Sequence, residues 1–496
     1  MTFSFRAAAI VLGLTCCWAD PLSLESGLSS PISVFPASIS YGLHFSTWDG
    51  RKSCRPREYR VAKAEEDVVE IIQRVAKEGE KVKVIGAGLS FSGVQLADDD
   101  VGVMLSLDGM NRILSVKGTQ VEVEAGIRLR DLCERLAADH GLALPNLGAT
   151  ATQSIVGAAS TGTHGTGTEL GAIATQIVRL RVVDGKGGVH ETSETEDAEL
   201  FRAARVGVGA VGVITRVTLQ AVPLWKMQFT SFPYSLTNLL KDLPNLMSQY
   251  KRLQWSFTPF SDNATVLVRE DVPWDTPIDP PGPDGGCWSK TQPTRPTCTD
   301  LSYKTLTDSQ QQYKSRKLYT EMEMFVPVED SRKAIEDYVA WIDTVRDQHD
   351  PAVSVSVMVR YVASDDIFLS PMSGRDTAVL SVIVAGDRQQ SGDPGEFESF
   401  SKGLQGVCET KYKGRPHWGK VNWTRLTGQS WENQNLFLRE EKTPEYLRRA
   451  YGEENWDRFQ KVMQRMDPQG MFVNSYLRER FFANEERIQR NSVIVE

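Results

Sequence analysis

The sequence predicts an α+β protein built from more than one domain, and three observations carry that expectation. The chain has 496 residues, more than a single hydrophobic core usually spans. Short β-like apolar runs alternate with short helical patterns, and glycine-rich turns separate them. From Pro223 onward the character changes, with aromatic-rich segments around a proline-rich loop. Composition is that of an ordinary globular protein, 41% hydrophobic and 24% charged. A net charge of −8 without any dominant basic segment argues against a nucleic-acid partner.

The first residues read as an address. Arg6 precedes an apolar stretch from Ala7 to Trp18, and Ala19-Asp20-Pro21 follows, the layout of a secretory signal peptide cleaved near Ala19. A buried N-terminal helix or an uncleaved anchor is the alternative reading of the same stretch. The run is shorter than the roughly 20 apolar residues a membrane helix needs, and no later stretch reaches that length, so no membrane span is expected. Secretion fits the cysteines: Cys287 and Cys298 bracket a Pro- and Thr-rich loop and suit a local disulfide. Cys133, beside Leu132 and Leu136, reads as a buried thiol. No C-x-x-C pair exists and the six histidines are scattered, so no metal site is expected. Asn263-Ala-Thr265 is a sequon in a polar stretch and a candidate for a glycan. Asn422-Trp-Thr424 matches too, but lies beside a candidate site motif and is not expected to be modified.

The elements follow in order. Residues 20–44 are Ser- and Pro-rich and read as a surface extension. A helix is predicted over Glu65–Lys77, where Val68, Val69, Ile71, Ile72 and Val75 share a face. Strands are predicted at Lys81–Ile85, Val101–Leu107 and Val121–Ala125, and a helix at Leu129–Ala138. Strands at Gln176–Val183 and Val211–Gln220 close a first domain, residues 45–223. A second domain, 224–410, holds the loop Pro273–Thr299, a helical pattern over Ser331–Val345 and β-like runs at Ala352–Val362 and Thr377–Ala385. The segment 411–483 is again dense in motifs and ends in a helix carrying Trp456, Phe459, Met463 and Met466, then a turn at Asp467–Gly470. Residues 484–496 form a tail.

Two glycine-rich stretches carry the first functional signal. The turn Gly86-Ala87-Gly88-Leu89-Ser90-Phe91-Ser92-Gly93 leaves a strand directly. Its glycines let backbone N–H groups approach a pyrophosphate, and Ser90 or Ser92 adds a hydroxyl donor. A Rossmann reading needs a helix next and an acidic residue about 20 positions on; here another loop and strand follow. The second stretch, from Gly157 to Gly167, has no large side chain except His164. Such a run builds no core; lying between strands inside a domain, it lets a ligand approach the backbone. An extended, planar, phosphate-bearing ligand suits both.

Five motifs stand in register and in order: Lys81-Val-Lys-Val-Ile-Gly-Ala-Gly-Leu-Ser-Phe-Ser92, Ala143-Leu-Pro-Asn-Leu-Gly-Ala149, Gly162-Thr-His-Gly-Thr-Gly167, Arg415-Pro-His-Trp-Gly-Lys420 and Asp467-Pro-Gln-Gly-Met-Phe-Val-Asn-Ser-Tyr-Leu477. In this combination the chain resembles the aldonolactone oxidase family of the vanillyl-alcohol-oxidase superfamily, from Phe45 to Phe482. The resemblance implies a PCMH-type FAD-binding domain, completed by the C-terminal segment, with an α+β substrate cap inserted. It implies FAD as cofactor, with the backbone of Gly86, Ala87, Gly88, Leu89, Ser90 and Ser92 around the pyrophosphate. Ser154, Gly157, Ser160, Thr163, His164 and Gly165 would line the cofactor, and Ile214 would touch its adenine or isoalloxazine side.

The resemblance also assigns roles. Many family members attach the flavin covalently through a histidine where this chain has Leu89, so FAD is expected to be non-covalent. Gly148 stands where the family places a residue against the flavin's reactive edge; without a Cβ it is expected to leave room for O2. Lys420 would hold a cation near flavin N1 or the substrate oxygen. His417 either supports the site by packing and hydrogen bonding or acts directly. The family's cap strand usually reads Glu-x-Arg; here it is Met358-Val-Arg360, which keeps the guanidinium for a substrate oxygen and loses the carboxylate. The resemblance, together with the N-terminal leader, implies a secreted oxidase of a sugar lactone or related carbohydrate, with hydride passing to flavin N5 and O2 becoming H2O2. A dehydrogenase using a quinone or cytochrome and a flavin-binding protein without catalysis are the alternatives; Met358 favours the latter.

Overall fold

The computed structural model describes residues 39–40, 43–98, 102–280, 296–307, 319–348, 355–385, 394–423 and 443–482. The expected signal peptide, Cys287 and the tail lie outside the described residues, as do residues 1–38 entirely.

Three main sheets organise the chain. In the first, Glu58–Val61 and Lys81–Ile85 lie parallel to a central strand, Gly102–Ser106. The helix Glu65–Glu78 makes the crossover, burying Val68, Ile71, Ile72 and Val75 on one face. The second sheet is five-stranded and antiparallel, with Ile177–Val183 and Val213–Gln220 at its centre. The predicted strands thus appear with ends shifted by one or two residues. The second glycine stretch differs from expectation in opening with a short helix, Ile155–Ser160.

The third sheet has eight antiparallel strands, in the order Thr297–Leu301, Lys226–Ser235, Asn263–Val272, Arg252–Phe257, Val355–Val362, Thr377–Ala385, Tyr319–Pro327 and Arg415–Pro416. Alternation decides its two faces. Trp255, Val357, Val359, Leu380, Val382, Met322 and Met324 form an apolar core, where the helices Leu236–Gln249, Ser331–Thr344 and Pro394–Lys411 contribute Leu239, Tyr338 and Phe400. The intervening positions, Gln254, Met358, Arg360, Ser381, Glu321 and Glu323, share the opposite face.

The C-terminal segment belongs to two places. Its strand Arg415–Pro416 extends the eight-stranded sheet, while Trp418, Tyr446, Trp456, Phe459 and Leu477 join the core of the N-terminal region. Among the described residues, no helix is long and apolar enough to cross a membrane.

Candidate active site

The strand Lys81–Ile85 delivers the first glycine turn to the wall of a cleft with about 900 Å³ of empty space, part of it open to solvent. Gly86, Ala87, Gly88, Leu89 and Ser90 line it, facing Ser154, Gly157, Ser160 and Ile214. The two glycine stretches touch: a Cβ on Gly86 would overlap the Ser154 hydroxyl, and one on Gly157 would lie 2.7 Å from it. Side chains at either position would fill the slot. A further wall, the turn Gly207–Gly212, was not anticipated. Val208 adopts φ 47° there, and Lys83 Nζ donates to the carbonyls of Val208 (3.3 Å), Gly209 (3.4 Å) and Phe472 (3.2 Å). Burial pushes the Lys83 ammonium down to about 7. A long slot of glycine backbone and small hydroxyls fits an extended dinucleotide.

Other expected cofactor contacts point elsewhere. The Ser92 hydroxyl donates to the Trp418 carbonyl at 2.6 Å and Phe91 N–H to the Gly419 carbonyl at 2.8 Å, so this end of the turn clasps the C-terminal segment instead of lining the cleft. Thr163 accepts from Gln153 Nε2 at 3.1 Å. His164 donates from Nδ1 to the Gly165 carbonyl at 2.8 Å and turns Nε2 toward Glu323. Gly165 lines a second, smaller cavity with Arg360, Gln254 and Arg269. Gly148 lines neither, and the position of a Cβ there is already taken, 2.7 Å from Thr163 Cγ2. The space that glycine was expected to leave for O2 is therefore filled by threonine.

The polar face of the large sheet gathers the remaining groups. Arg360 donates from Nε to Gln254 Oε1 at 3.1 Å, and Gln254 Nε2 lies 3.1 Å from the Met358 sulfur. Gln254 thus occupies the place beside Arg360 that an acid would have shared. Lys420 sits on a turn stitched to the strand Tyr319–Pro327 by His417 N–H to Glu323 O (3.2 Å) and Val421 N–H to Glu321 O (3.0 Å). Its ammonium contacts Glu321 and lies 4.9 Å from the centre of the Phe91 ring. Burial disfavours the Lys420 charge, but Glu321 and Glu323 outweigh it and hold the ammonium well above the usual lysine range.

Glu321 and Glu323 went unremarked in the sequence, although Thr-Glu-Met-Glu-Met-Phe alternates polar and apolar side chains as a half-buried strand should. Burial, reinforced by the Glu323 charge, pushes Glu321 up to about 7 against the pull of Lys420. Burial also opposes ionisation of Glu323, yet Lys420, His164 and His417 hold it well below the usual carboxylate range. Two carboxylates this close titrate as a unit, and the proton goes to Glu321. Glu323 accepts from Ser381 Oγ at 3.2 Å and faces Nε2 of His164 (3.5 Å) and His417 (3.8 Å). His417 Nδ1 accepts from Gly419 N–H at 2.9 Å, which assigns the ring proton to Nε2. Burial pushes His417 down to about 3, so it is neutral and structural near pH 7.

Residues 56–193 match the family model described as FAD binding domain, and residues 287–480 match that of D-arabinono-1,4-lactone oxidase. The chain is 33% identical over 458 residues to the L-gulono-1,4-lactone dehydrogenase of Mycobacterium tuberculosis, across 88% of this chain and 98% of that one. It is 31% identical to the L-gulonolactone oxidase of Bos taurus, across 89% and 99%. The chain belongs to the aldonolactone oxidase family. Its fold is that of the vanillyl-alcohol-oxidase group: the cholesterol oxidase of B. sterolicum superimposes with a TM-score of 0.73 at 15% identity, over 91% of this chain and 99% of that one. Family membership makes this an FAD-dependent oxidoreductase acting on CH–OH groups, and the cleft between the glycine turns has the small-residue lining that such an extended cofactor requires.

Proposed function

We propose that the protein oxidises a carbinol of a sugar lactone or related polyol, with L-gulono-1,4-lactone as the first substrate to test. The observation carrying this reading is the polar sheet face that sets Arg360 and Lys420 beside the loops whose neighbouring residues line the cleft. Bound there, FAD supplies the acceptor for the carbinol hydride. Arg360, oriented by Gln254, holds a substrate hydroxyl or carbonyl oxygen through a charge-assisted hydrogen bond. Lys420 places a fixed positive charge where negative charge develops, and its own carboxylate partners keep it in position. Anaerobic bleaching of the flavin by a panel of lactones and alditols tests the reading; no bleaching with any of them would leave a flavin-binding protein without catalysis.

O2 is the proposed electron acceptor, with H2O2 as product. Thr163 against Gly148 favours a second reading, a dehydrogenase that passes electrons to a quinone or cytochrome. Oxygen uptake during lactone turnover distinguishes the two. The proposal extends to secretion, with cleavage near Ala19, a Cys287–Cys298 bridge and a glycan at Asn263. Asn263 and Thr265 are both exposed, whereas Asn422 Nδ2 is engaged with Tyr476 Oη at 3.0 Å. N-terminal sequencing of protein from the medium, a non-reduced peptide map and glycosidase digestion decide these points in turn.

A further inference from the structure

The oxidation proposed above releases a proton as well as a hydride, and the group that takes it is missing from its familiar place. Met358 cannot accept a proton. Arg360 cannot, because a guanidinium is always charged. His417 has its one free lone pair committed to Gly419 N–H. Glu323 takes the Ser381 hydroxyl on one oxygen, and Lys420, His164 and His417 hold it ionised, so it binds a proton less readily than Glu321. Glu321 remains. It lies on the same sheet face as Arg360, one residue pair along its strand from Glu323, and its Oε2 contacts the Lys420 ammonium. The Lys420 side chain retains 19% of its surface while that of Glu321 retains 5%, so the lysine is the more accessible side chain of the pair.

We propose that Glu321 is the proton acceptor of the reaction and receives the substrate's hydroxyl proton through Lys420, in place of a carboxylate at position 358. The inference rests on the carbinol-oxidising reading. The C–H bond breaks and its electron pair leaves as hydride to FAD, the oxidant. An Nζ proton moves to Glu321 Oε2, and the lone pair this frees on Lys420 Nζ takes the proton of the breaking O–H bond. The carbinol becomes a carbonyl, Lys420 stays an ammonium, and Glu321 ends as a carboxylic acid. The charged and titratable groups facing this pair are Glu323 on the same strand, Arg360 two strands away and Tyr319 beside Lys420; His164 and His417 face Glu323. A buried carboxylate with one ammonium and a second carboxylate nearby has a proton affinity near neutrality, as an acceptor working at that pH requires.

The test uses the holoenzyme. Infrared difference spectra over a pH titration without substrate should show a carboxylic C=O band disappearing near pH 7 in the parent and absent from Glu321→Gln. Anaerobic stopped-flow with L-gulono-1,4-lactone should show flavin reduction rising with pH through the same range. Glu321→Gln should slow it by about 100-fold and flatten the profile, and Glu321→Asp should restore part of the rate with a pH dependence whose midpoint is displaced from the parent's. If Glu321→Gln fails to retain FAD, the Asp variant decides: a profile unmoved from the parent's overturns the proposal. So does a band near pH 7 that persists in Glu321→Gln, or a Gln rate within threefold of the parent. Absence of bleaching by any lactone or alditol in the parent would instead overturn the proposed function; the infrared band then decides the Glu321 assignment alone.

Discussion

Gln254 and Arg360 face each other across paired strands, with the amide oxygen accepting from the guanidinium Nε at 3.1 Å and the amide nitrogen 3.1 Å from the Met358 sulfur. A neutral amide thereby orients Arg360 without neutralising it. Arg360→Ala should cut kcat/KM by about two orders of magnitude, since a charge-assisted contact to the substrate oxygen disappears. Gln254→Ala should leave the charge in place but loosen it, with a smaller loss. Steady-state kinetics on both variants checks the ranking, and an Arg360→Ala enzyme as active as the parent would remove Arg360 from the site.

Gly148→Ala should be felt first by Thr163. The new methyl would sit 2.7 Å from Thr163 Cγ2, an overpacked contact costing about 1–3 kcal/mol unless the threonine moves. Adding Thr163→Ser removes the offending methyl and keeps the hydroxyl that accepts from Gln153. The double variant should therefore recover the thermal stability that the single one loses. Reoxidation by O2, followed in both, reveals whether threonine or residue 148 governs oxygen access.

The raised Glu321 pKa has a defined consequence for stability. A carboxyl lifted from 4.5 to about 7 on folding stabilises the fold below the unfolded value, and that contribution is lost as pH rises through about 7. Lys83, lowered from 10.5 to about 7, acts with the opposite sign: its contribution is lost as pH falls through about 7. The informative quantity is therefore the difference between Glu321→Gln and parent melting temperatures across pH 5 to 8. That difference should move in favour of the variant as pH rises; a constant difference would contradict the assignment.

FAD should leave the protein on acid precipitation, colouring the supernatant. Leu89 lines the cleft at the position of the linking histidine and offers no nucleophile. A yellow pellet would mean that another side chain forms the bond.

The glycine turns, their shared ligand and most strands of the first two sheets were legible in the sequence because local chemistry determines them: closely spaced glycines after an apolar strand allow few alternatives. The large sheet was only partly visible. Val355–Val362 and Thr377–Ala385 are strongly apolar, but Tyr319–Pro327 carries its two acids on the same face as Arg360, and burying carboxylates contradicts their usual surface preference. That cost becomes intelligible only once Lys420, distant in sequence, is seen against Glu321 with its charge acting on both. Ser92 misled for a related reason: a hydroxyl in a glycine turn suggests a phosphate donor, and only the fold reveals Trp418 as its partner.

The clasp between Ser92 and Trp418 joins residues 326 apart in sequence, and Lys83 and Phe472 are 389 apart. Asn474 adds two bonds from Nδ2 to the carbonyls of Gly93 and Leu96. On the ribosome, the first glycine turn emerges long before any of these partners exists. It must wait, unclasped, while the residues between it and those partners are synthesised. A nascent chain stopped short of residue 474 would hold its glycines without the scaffold that fixes them.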